Sequence, residues 1–293
     1  MKFINKITNA DGLETIKKLK DKSIDLICVD PPYNIKKIGV DWDNIEDYYK
    51  WLESYFREFE RVLKDTGSFF IFHNDFRSMA KLDSKIEEST SFIQKNFIIW
   101  NKRFESSIKK GYLDGFIHGE KSNHRFQKMA EYIMFYQFDL SYKLKERRTE
   151  LGFSQERITM TYPSKNGKRT GWYSNLENGL SLPNERTIIP ITEHLDLDMN
   201  DLVPKFRNQK TSHTVWNYDM DHKKFGHITP KPIKLLKNII LHTTDEDDLC
   251  LDCFGGSGSF AVACKELGRN FILIEKEKEY CDIAKKRLKD SKS

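Results

Sequence analysis

The chain has 293 residues, of which 38% are hydrophobic and 32% charged, a composition typical of a globular protein with a substantial core. No apolar run is long enough to span a bilayer and the first residues lack a signal-peptide core, so we expect no membrane segment and a cytoplasmic location. The net charge of +5 is mildly basic and is compatible with a polyanionic partner.

The first part of the chain alternates strand and helix patterns. SIDLICVD predicts a buried parallel strand. The following NIEDYYKWLESYFREFERVLKDTG has apolar residues at helical spacing, and we expect Gly67 to end that helix. SFFIFHN and KNFIIWNK predict two further strands. This alternation is typical of a layered α/β fold.

From about residue 211 the same alternation returns. The predicted elements are a helix opened by prolines (TPKPIKLLKNIILHTT), a strand (DLCLDCF), a turn and helix (GGSGSFAVACKELG), a strand (RNFILIE) and a closing helix (KEYCDIAKKRLKD). Between the two parts, residues 142–202 show only short helical patterns. We therefore expect residues 1–139 and 211–293 to form one α/β domain, and residues 140–210 to be an all-helical insert.

The five cysteines lie on separate predicted elements, which favours reduced thiols over a disulfide framework. Cys250 and Cys253 form a CxxC pair. A second pair and nearby histidines are missing from the sequence, so we expect no metal site and predict that both cysteines pack in or beside a strand.

A glycine-rich loop lies between a predicted strand and a helix. Gly255, Gly256 and Gly258 would let a ligand approach the backbone at the positive end of that helix. Glu275 ends the next strand, 20 positions after Gly255 (275 − 255), where a ribose-binding acid lies in dinucleotide folds. The pattern favours a nucleoside cofactor over a plain tight turn, and it leaves NAD and S-adenosylmethionine both open.

The first buried strand ends in Asp30-Pro31-Pro32-Tyr33. The prolines fix their own φ and bias the residues before them away from helical φ/ψ, so the turn is stiff. Because neither proline has a backbone N–H, the turn presents mainly acceptors. The exocyclic amine of a nucleobase needs such acceptors, here Asp30 and the Pro31 carbonyl, and a ring such as Tyr33 to stack on. The alternative interpretation is a rigid surface turn.

The order of these motifs resembles that in the amino-directed DNA methyltransferases of the β group. DPPYNI (30–35) matches the family's target-amine motif, and DCFGGSGSF (252–260) matches its cofactor motif, DxFxGSGT. HITPKPIKLL, RVLKDTGSFFIF and TNADGLETIKKL resemble three further family segments. The resemblance covers about residues 3–139 and 211–288. It implies a Rossmann-like, S-adenosylmethionine-dependent methyltransferase sheet.

The resemblance also implies roles for single residues. The residues that would hold the target base are Asp30, Pro31, Pro32 and Tyr33. The residues that would bind S-adenosylmethionine are Asp252, Phe254, Gly256 and Ser257 at its methionine end, Lys231 near its carboxylate, Glu275 at its ribose and Asp11 at its adenine. The alternative interpretation of Lys231 is a surface lysine at a helix start.

Residues 144–202 resemble a Cro/repressor-type helix-turn-helix, on the basis of Ser154-Gln155, Leu176-Glu177-Asn178-Gly179 and Pro183. The resemblance implies a target-recognition insert whose recognition helix runs through about residues 170–176. The residues expected to contact DNA are Gln155, Lys168, Arg169, Thr170, Trp172, Tyr173 and Asn175. The alternatives are a packing module that contacts no DNA and a module that regulates transcription separately.

Together the motifs predict a site-specific DNA methyltransferase that acts on the 6-amino group of adenine. The expected setting is a restriction-modification, phage or orphan system, with activity at the nucleoid of a prokaryotic cell. We expect double-stranded DNA as the partner, with the target base flipped out, and a second copy of the chain as a candidate partner. Methylation of the 4-amino group of cytosine is the close alternative, because the same acceptors serve both amines. A DNA-binding regulator on a disused methylase scaffold is the alternative from another class.

Overall fold

The computed structural model describes residues 2–35, 43–102, 130–162, 170–207, 213–220 and 230–291. Its centre is one eight-stranded mixed sheet, so the predicted α/β architecture is confirmed. The strands are β1 (Lys6–Asn9), β2 (Ile24–Val29), β3 (Leu63–His73), β4 (Phe92–Asn101), β5 (Ala130–Phe138), β6 (Val215–Asn217), β7 (Leu249–Asp252) and β8 (Asn270–Glu275). Their order in the sheet is β1-β8-β7-β2-β3-β5-β4-β6.

The described residues also form helices, of which the first three and the last three cover the two faces of the sheet. They are α1 (Gly12–Ile16), α2 (Tyr48–Val62), α3 (Phe76–Ser89), α4 (Ser141–Glu150), α5 (Gln155–Met160), α6 (Trp172–Glu177), α7 (Ile188–Leu195), α8 (Met199–Leu202), α9 (Ile233–Thr243), α10 (Ser259–Glu266) and α11 (Lys278–Asp290). Alternate residues of each strand point to opposite faces, so Ile27 packs with α1–α3 and Cys28 packs with α9–α11. None of the helices in the described ranges is long and apolar enough to cross a bilayer.

Strand direction decides where the strand ends meet. β1, β8, β7, β2 and β3 are all parallel, whereas β5 is antiparallel to both β3 and β4. The ends of the parallel strands and of β4 therefore lie at the same edge as the beginning of β5. In the register of these strands His73 faces Tyr132, and Trp100 faces Glu131. We call this the carboxyl edge and the opposite one the amino edge.

Gly67 does not end a helix, in contrast to the sequence prediction. α2 ends at Val62, β3 begins at once with Leu63, and Gly67 lies inside the strand. A Cβ at Gly67 would lie 2.7 Å from the Leu63 side chain and 2.9 Å from the Asp25 carbonyl oxygen. The glycine is thus needed for the close approach of β2 and β3, whose register shifts at this point.

All five cysteines are buried and none forms a disulfide. Cys250 lies in β7, and Cys253 follows directly after it. Both cysteines of the CxxC pair therefore pack in or beside a strand, as the sequence predicts.

The helical insert, α4–α8, has a small core of its own. The core residues are Leu144, Ile158, Tyr173, Leu176, Ile191, Leu195 and Leu202. Two contacts tie the insert to the start of β3. Lys143 forms an ion pair with Asp65 at 3.1 Å, and the backbone N–H of Lys205 donates to the Thr66 carbonyl at 2.9 Å. The insert is therefore attached at the amino edge of the sheet.

Candidate active site

Four carboxylates follow one another along the carboxyl edge, where ligands bind in open α/β sheets. Asp11 comes just after β1, Glu275 ends β8, Asp252 ends β7, and Asp30 comes directly after β2. These four strands are neighbours in that order, so parallel pairing brings residues from both ends of the sequence together. The predicted target-amine and cofactor motifs are thus adjacent.

The turn after β2 is held by hydrogen bonds as well as by its prolines. The Tyr33 hydroxyl donates to Asp30 Oδ1 at 2.5 Å, and the Tyr48 hydroxyl of α2 donates to the Pro32 carbonyl at 2.7 Å. The Tyr33 ring lies 4.7 Å from the ring of the buried His73 at the end of β3, measured between centroids. Asp30 and the Tyr33 ring are therefore fixed relative to each other.

Asn34 continues this turn in the left-handed region, with φ of 52°. Its side chain donates to the Ile45 carbonyl at 3.1 Å and accepts from the Ile45 N–H at 2.9 Å. The buried Asp43 carboxylate accepts from the N–H groups of Asn34 and Ile35, at 2.8 and 3.2 Å. Neither Asn34 nor Asp43 is among the site residues predicted from the sequence. Asparagine tolerates a positive φ, and this preference is the signal that marks Asn34.

Lys231 lies in the target-amine half of the site. Its ammonium group donates to Asp30 Oδ2 and to the Tyr33 hydroxyl, the latter at 3.1 Å. It also lies 3.4 Å from Glu131 Oε2, and Glu131 Oε1 accepts from Lys102. Lys231 is 8% exposed, so it is not a surface lysine. The carboxylates of Asp30 and Glu131 neutralise the Lys231 ammonium, so its charge is balanced without the carboxylate of a cofactor.

Opposite charges within this cluster stabilise the charged forms of its buried residues. Burial acts to lower the pKa of Lys231, but the carboxylates of Asp30 and Glu131 outweigh it and leave that pKa raised. Burial likewise acts to raise the pKa of Glu131, but Lys231 and Lys102 hold it below its usual range. Burial, together with Asp30 and Glu131, raises the pKa of Tyr33. The cluster is therefore ionic, with a neutral phenol at its centre.

The glycine loop after β7 is shaped by close contacts. A Cβ at Gly255 would lie 2.5 Å from Leu273 Cγ, and a Cβ at Gly258 would lie 2.7 Å from Ala284 Cβ. Gly258 also has a φ of 79°, which favours glycine. Both positions therefore exclude a larger residue, whether or not a ligand is bound.

Arg287 of α11 holds the same loop through three hydrogen bonds. Its guanidinium donates to the Ser257 carbonyl at 2.9 Å, to the Ser257 hydroxyl at 2.6 Å and to the Ser259 hydroxyl at 3.1 Å. The Ser257 hydroxyl, predicted to line the cofactor site, is thus engaged by an arginine and is 3% exposed as a residue. Arg287 was not predicted, because its sequence context is that of an ordinary basic helix end.

Two buried carboxylates face this loop. Glu275 accepts from the N–H groups of Gly256 and Glu277, both at 2.7 Å, and burial raises its pKa. Asp252 accepts from the Phe254 N–H at 2.9 Å. Burial raises the pKa of Asp252 to about 8, with the carboxylates of Asp30 and Glu275 adding to the effect. Both groups gain by meeting a cation or hydroxyl donors.

An aromatic wall stands beside the loop. The Phe254 ring lies 5.0 Å from the Tyr55 ring and 5.7 Å from the Trp51 ring, both on α2. A Cβ at Gly12 would lie 3.0 Å from the Cys253 carbonyl, so α1 begins directly against the end of β7. The exposed Asp11 caps α1 by accepting from the Glu14 N–H at 3.0 Å. Trp51 and Tyr55 carried no motif that would mark them in the sequence.

The structure corrects two of the predicted DNA contacts in the insert. Tyr173 is fully buried in the insert core, and its hydroxyl donates to the Leu144 carbonyl at 3.2 Å, so it cannot reach a groove. The Gln155 amide donates to Glu177 at 2.7 Å, where the prediction had it facing a phosphate. Glu177 also accepts two bonds from Arg148 and so joins α4, α5 and α6.

The other predicted contacts of the insert differ in exposure. Asn175 is exposed and Thr170 is half-buried. Trp172 is half-buried, and its indole N–H donates to the Thr159 carbonyl at 3.0 Å. Lys168 and Arg169 lie outside the described residues.

The insert is attached at the opposite edge of the sheet from the target-amine motif. Its contacts with Asp65 and Thr66 lie at the amino edge, whereas Asp30 lies at the carboxyl edge. From Thr66 to His73, β3 spans seven residue steps, or roughly 23 Å at about 3.3 Å per residue.

Comparison with known proteins identifies the family. The chain matches the model of a DNA methylase family, of N6 and N4 type, over residues 24–286. The chain belongs to this family. The chain is similar to the type II methyltransferase M1.MboII of Moraxella bovis, with 30% identity covering 96% of this chain and 95% of that protein. The chain is also similar to the DNA adenine methyltransferase YhdJ of Escherichia coli (strain K12), with 29% identity covering 96% of this chain and 82% of that protein.

Solved structures of similar fold include the cytosine-N4-specific PvuII DNA methyltransferase. It superimposes with a TM-score of 0.61 at 15% identity, covering 96% of this chain and 85% of that chain. The complex of M1.HpyAVI with its cofactor superimposes with a TM-score of 0.54 at 22% identity, covering 97% and 99%. The chain is thus an S-adenosylmethionine-dependent DNA methyltransferase of a family that methylates adenine or cytosine amines.

The residues along the edge fit this cofactor. Its sulfonium and ammonium groups are cationic and its ribose carries two hydroxyl donors, which suit the buried carboxylates of Asp252 and Glu275. Its adenine is a flat ring, which suits the aromatic wall and the end of β1. Donors and acceptors of the right kind therefore lie side by side at adjacent strand ends.

The raised pKa of Asp252 makes the stability of the cofactor-free protein depend on pH. Between the usual value of 3.8 and about 8, the folded protein keeps a proton that the unfolded chain has released. This group therefore lowers the free energy of unfolding as pH rises through that window. We expect the free energy of unfolding of Asp252→Asn, measured in urea, to rise by about 2 kcal/mol relative to that of the wild type between pH 6 and pH 8. Titrations of groups remote from Asp252 are shared by the two proteins and cancel, so a constant difference would contradict the assignment.

Proposed function

We propose that this protein transfers a methyl group from S-adenosylmethionine to the 6-amino group of an adenine that is flipped out of double-stranded DNA. A restriction-modification, phage or orphan system would be its setting. The observation that carries the proposal is the position of Asp30, whose two oxygens already accept from an ammonium and a hydroxyl donor beside the cofactor loop. A group that binds N–H and O–H donors in this way is built to receive an amine.

The cofactor supplies an electrophilic methyl group. Asp30 would accept one N–H of the target amine and the Pro31 carbonyl the other, which favours a pyramidal nitrogen with an available lone pair. The Tyr33 ring, fixed against His73, would stack on the base. In that position the nitrogen lone pair would form the new N–C bond, and the electron pair of the methyl–sulfur bond would remain on the departing sulfur. The extra proton on nitrogen leaves through the hydrogen bond to Asp30, so rate enhancement comes mainly from positioning.

Adenine is favoured over cytosine by one feature of the chain and by one relative. Asp30, where the alternative pattern has a serine, favours adenine modestly. YhdJ, which is similar over 96% of this chain, is named as an adenine enzyme. Methylation of the 4-amino group of cytosine remains the alternative, because the same acceptors bind both amines.

A regulator on a disused scaffold is disfavoured by the charge cluster. Lys231 is 8% exposed and Glu131 is 4% exposed, and they meet beside Asp30 at the end of β2. Burying such charges is costly unless they are paired, and a protein without turnover gains nothing from that cost. The intact cluster supports an active enzyme.

The insert is best explained as a module that acts apart from the target base. Support for this comes from its attachment at the amino edge and from its polar Arg148–Glu177 pair, which serves its own packing. DNA binding by its exposed residues would then serve a second segment of DNA, as a transcriptional regulator would require. A pure packing module is the alternative.

Nucleoside analysis of DNA from cells that express the protein tests which amine is methylated. We expect N6-methyladenine at one sequence motif, detected by mass spectrometry of digested DNA and located by single-molecule sequencing. N4-methylcytosine would replace the proposal by its alternative. DNA without either base, from cells in which the protein is folded and binds its cofactor, would contradict both.

Substitution of Asp30 tests the mechanism. We expect Asp30→Ala to lower methyl transfer at least about 100-fold, because a charged acceptor for the amine is lost in a buried site. Asp30→Asn is the isosteric comparison and should fall almost as far. Cofactor binding, followed by the thermal shift that S-adenosylmethionine produces, should stay within about threefold of the wild-type Kd. Wild-type turnover by either variant would refute the role of Asp30.

Asn175→Ala tests the placement of the insert. We expect kcat/KM for a short duplex that carries the target site to stay within about twofold of wild type, because the insert lies at the other edge of the sheet. Asn200→Ala, an exposed asparagine on α8, is the matched control. A loss of tenfold or more in Asn175→Ala alone, about 1.4 kcal/mol of transition-state binding, would return the insert to target recognition.

A further inference from the structure

Glu131 has no role in the reaction as described so far, yet it shares the lysine that binds Asp30. It begins β5, and the antiparallel direction of that strand brings it to the carboxyl edge. The cluster contains two carboxylates, Asp30 and Glu131, and two ammonium groups, Lys231 and Lys102. Its formal charges therefore balance within the protein.

Both oxygens of Asp30 already accept a bond from the protein. Oδ1 accepts from the Tyr33 hydroxyl at 2.5 Å, and Oδ2 accepts from the Lys231 ammonium. Asp30 is the more exposed member of its pair with Lys231, with 27% of its side chain accessible against 8% for the lysine. Each oxygen keeps a further lone pair, but the Lys231 ammonium already neutralises the carboxylate, so an amine that approaches from solvent meets a weakened acceptor. Asp30 becomes the stronger acceptor for the amine when one of these two protein donors withdraws.

The Tyr33 hydroxyl lies 3.3 Å from Glu131 Oε2, but its ring is packed against His73, and Lys231 is the donor that would carry its charge to Glu131. Its Nζ already lies 3.4 Å from Glu131 Oε2, so a shift of well under 1 Å converts that contact into a full hydrogen bond. Glu131 Oε1 is held by Lys102, which fixes the direction of the receiving oxygen. An ammonium group that left Asp30 without such an acceptor would be a buried unpaired charge, which is strongly unfavourable.

We propose that Glu131 is a positioning residue that takes up the Lys231 ammonium when the target amine replaces it on Asp30. The proposal rests on the function proposed above, because it describes how that site accepts its substrate. Lys231 then has two positions, on Asp30 in the free enzyme and on Glu131 in the complex. The charge of Glu131 makes the exchange nearly neutral, since the lysine keeps one carboxylate partner throughout.

A double-mutant cycle between Glu131 and Lys231 tests this exchange. Glu131→Gln keeps the shape of the side chain but removes the receiving charge, so Lys231 stays on Asp30. We expect single-turnover methyl transfer to fall about 10- to 100-fold, the range that coupling between contacting charged residues produces. The Kd for S-adenosylmethionine should stay within about twofold of the wild type. In a Lys231→Met background the same Glu131→Gln change should cost less than about threefold, because no lysine remains to be moved.

A purely structural role for Glu131 predicts a different pattern. The two substitutions would then multiply in their effects on the rate, and Glu131→Gln would cost as much with Lys231 as without it. That result would overturn the proposal, as would a wild-type rate in Glu131→Gln. A wild-type protein that binds the cofactor but methylates no DNA would instead overturn the proposed function, so the two failures are distinguishable.

Asp25→Asn is the matched control. Asp25 is also buried, accepts from Lys64 at 2.8 Å and lies 3.5 Å from Lys205, but it sits at the amino end of β2. Its neutralisation should lower stability while the methyl-transfer rate stays within about threefold of the wild type. Comparable rate losses in Asp25→Asn and Glu131→Gln would show that any buried carboxylate of this sheet matters equally, against the proposal.

Glu131→Asp is an independent test of the proposal if Glu131→Gln fails to fold or Lys231→Met is inactive. It keeps the charge but withdraws it by one methylene, away from Lys231. We expect a rate between those of the wild type and Glu131→Gln, at least about threefold below the wild type, with unchanged cofactor binding. A wild-type rate in Glu131→Asp would overturn the proposal, because the reach of the receiving carboxylate would then be irrelevant.

Discussion

The arrangement of the site depends on one electrostatic constraint, the balance of buried charge at the carboxyl edge. Parallel pairing delivers Asp30 and Asp252 to neighbouring strand ends, where the charge of Asp30 and burial both disfavour the charged form of Asp252. Asp252 responds with a raised pKa, whereas Asp30 is neutralised by Lys231. The antiparallel β5 adds Glu131, and the end of β4 adds Lys102, so the mixed sheet supplies a balanced cluster that a purely parallel sheet would lack.

Sequence reasoning succeeded where a local pattern and a buried element coincide. β2, β7 and β8 were recognisable because each is a continuous apolar run that ends at a motif residue. β1 and β6 have only four and three residues, too short to show a period. β5 follows a long polar and basic stretch, and nothing local indicates that it pairs antiparallel between β3 and β4. The position of Glu131 depends on that pairing, so it could not be predicted from the sequence.

Some predicted site residues make contacts that the sequence does not indicate, because one residue type suits two environments. Tyr173 has a hydroxyl that can meet DNA or a buried carbonyl, and the insert core uses it for the second. Ser257 can bind a ligand or an arginine, and Arg287 comes from a helix 30 residues further along the chain. A lysine before a helix is normally solvated, but Lys231 is drawn inward by two carboxylates that no local pattern connects. In each case the deciding partner is distant in sequence.

The position of the insert also follows from the directions of the strands. β5 runs away from the active site, so the chain that leaves it at Phe138 enters the insert at the amino edge. A module attached at the amino edge does not alter the carboxyl edge, where the balanced charges lie. By contrast, β4 ends and β5 begins at the carboxyl edge, so the connection between them starts and returns beside Asp30. The sequence of that connection includes NKRFESSIKKG, which combines basic and aromatic residues of the types that bind nucleic acid.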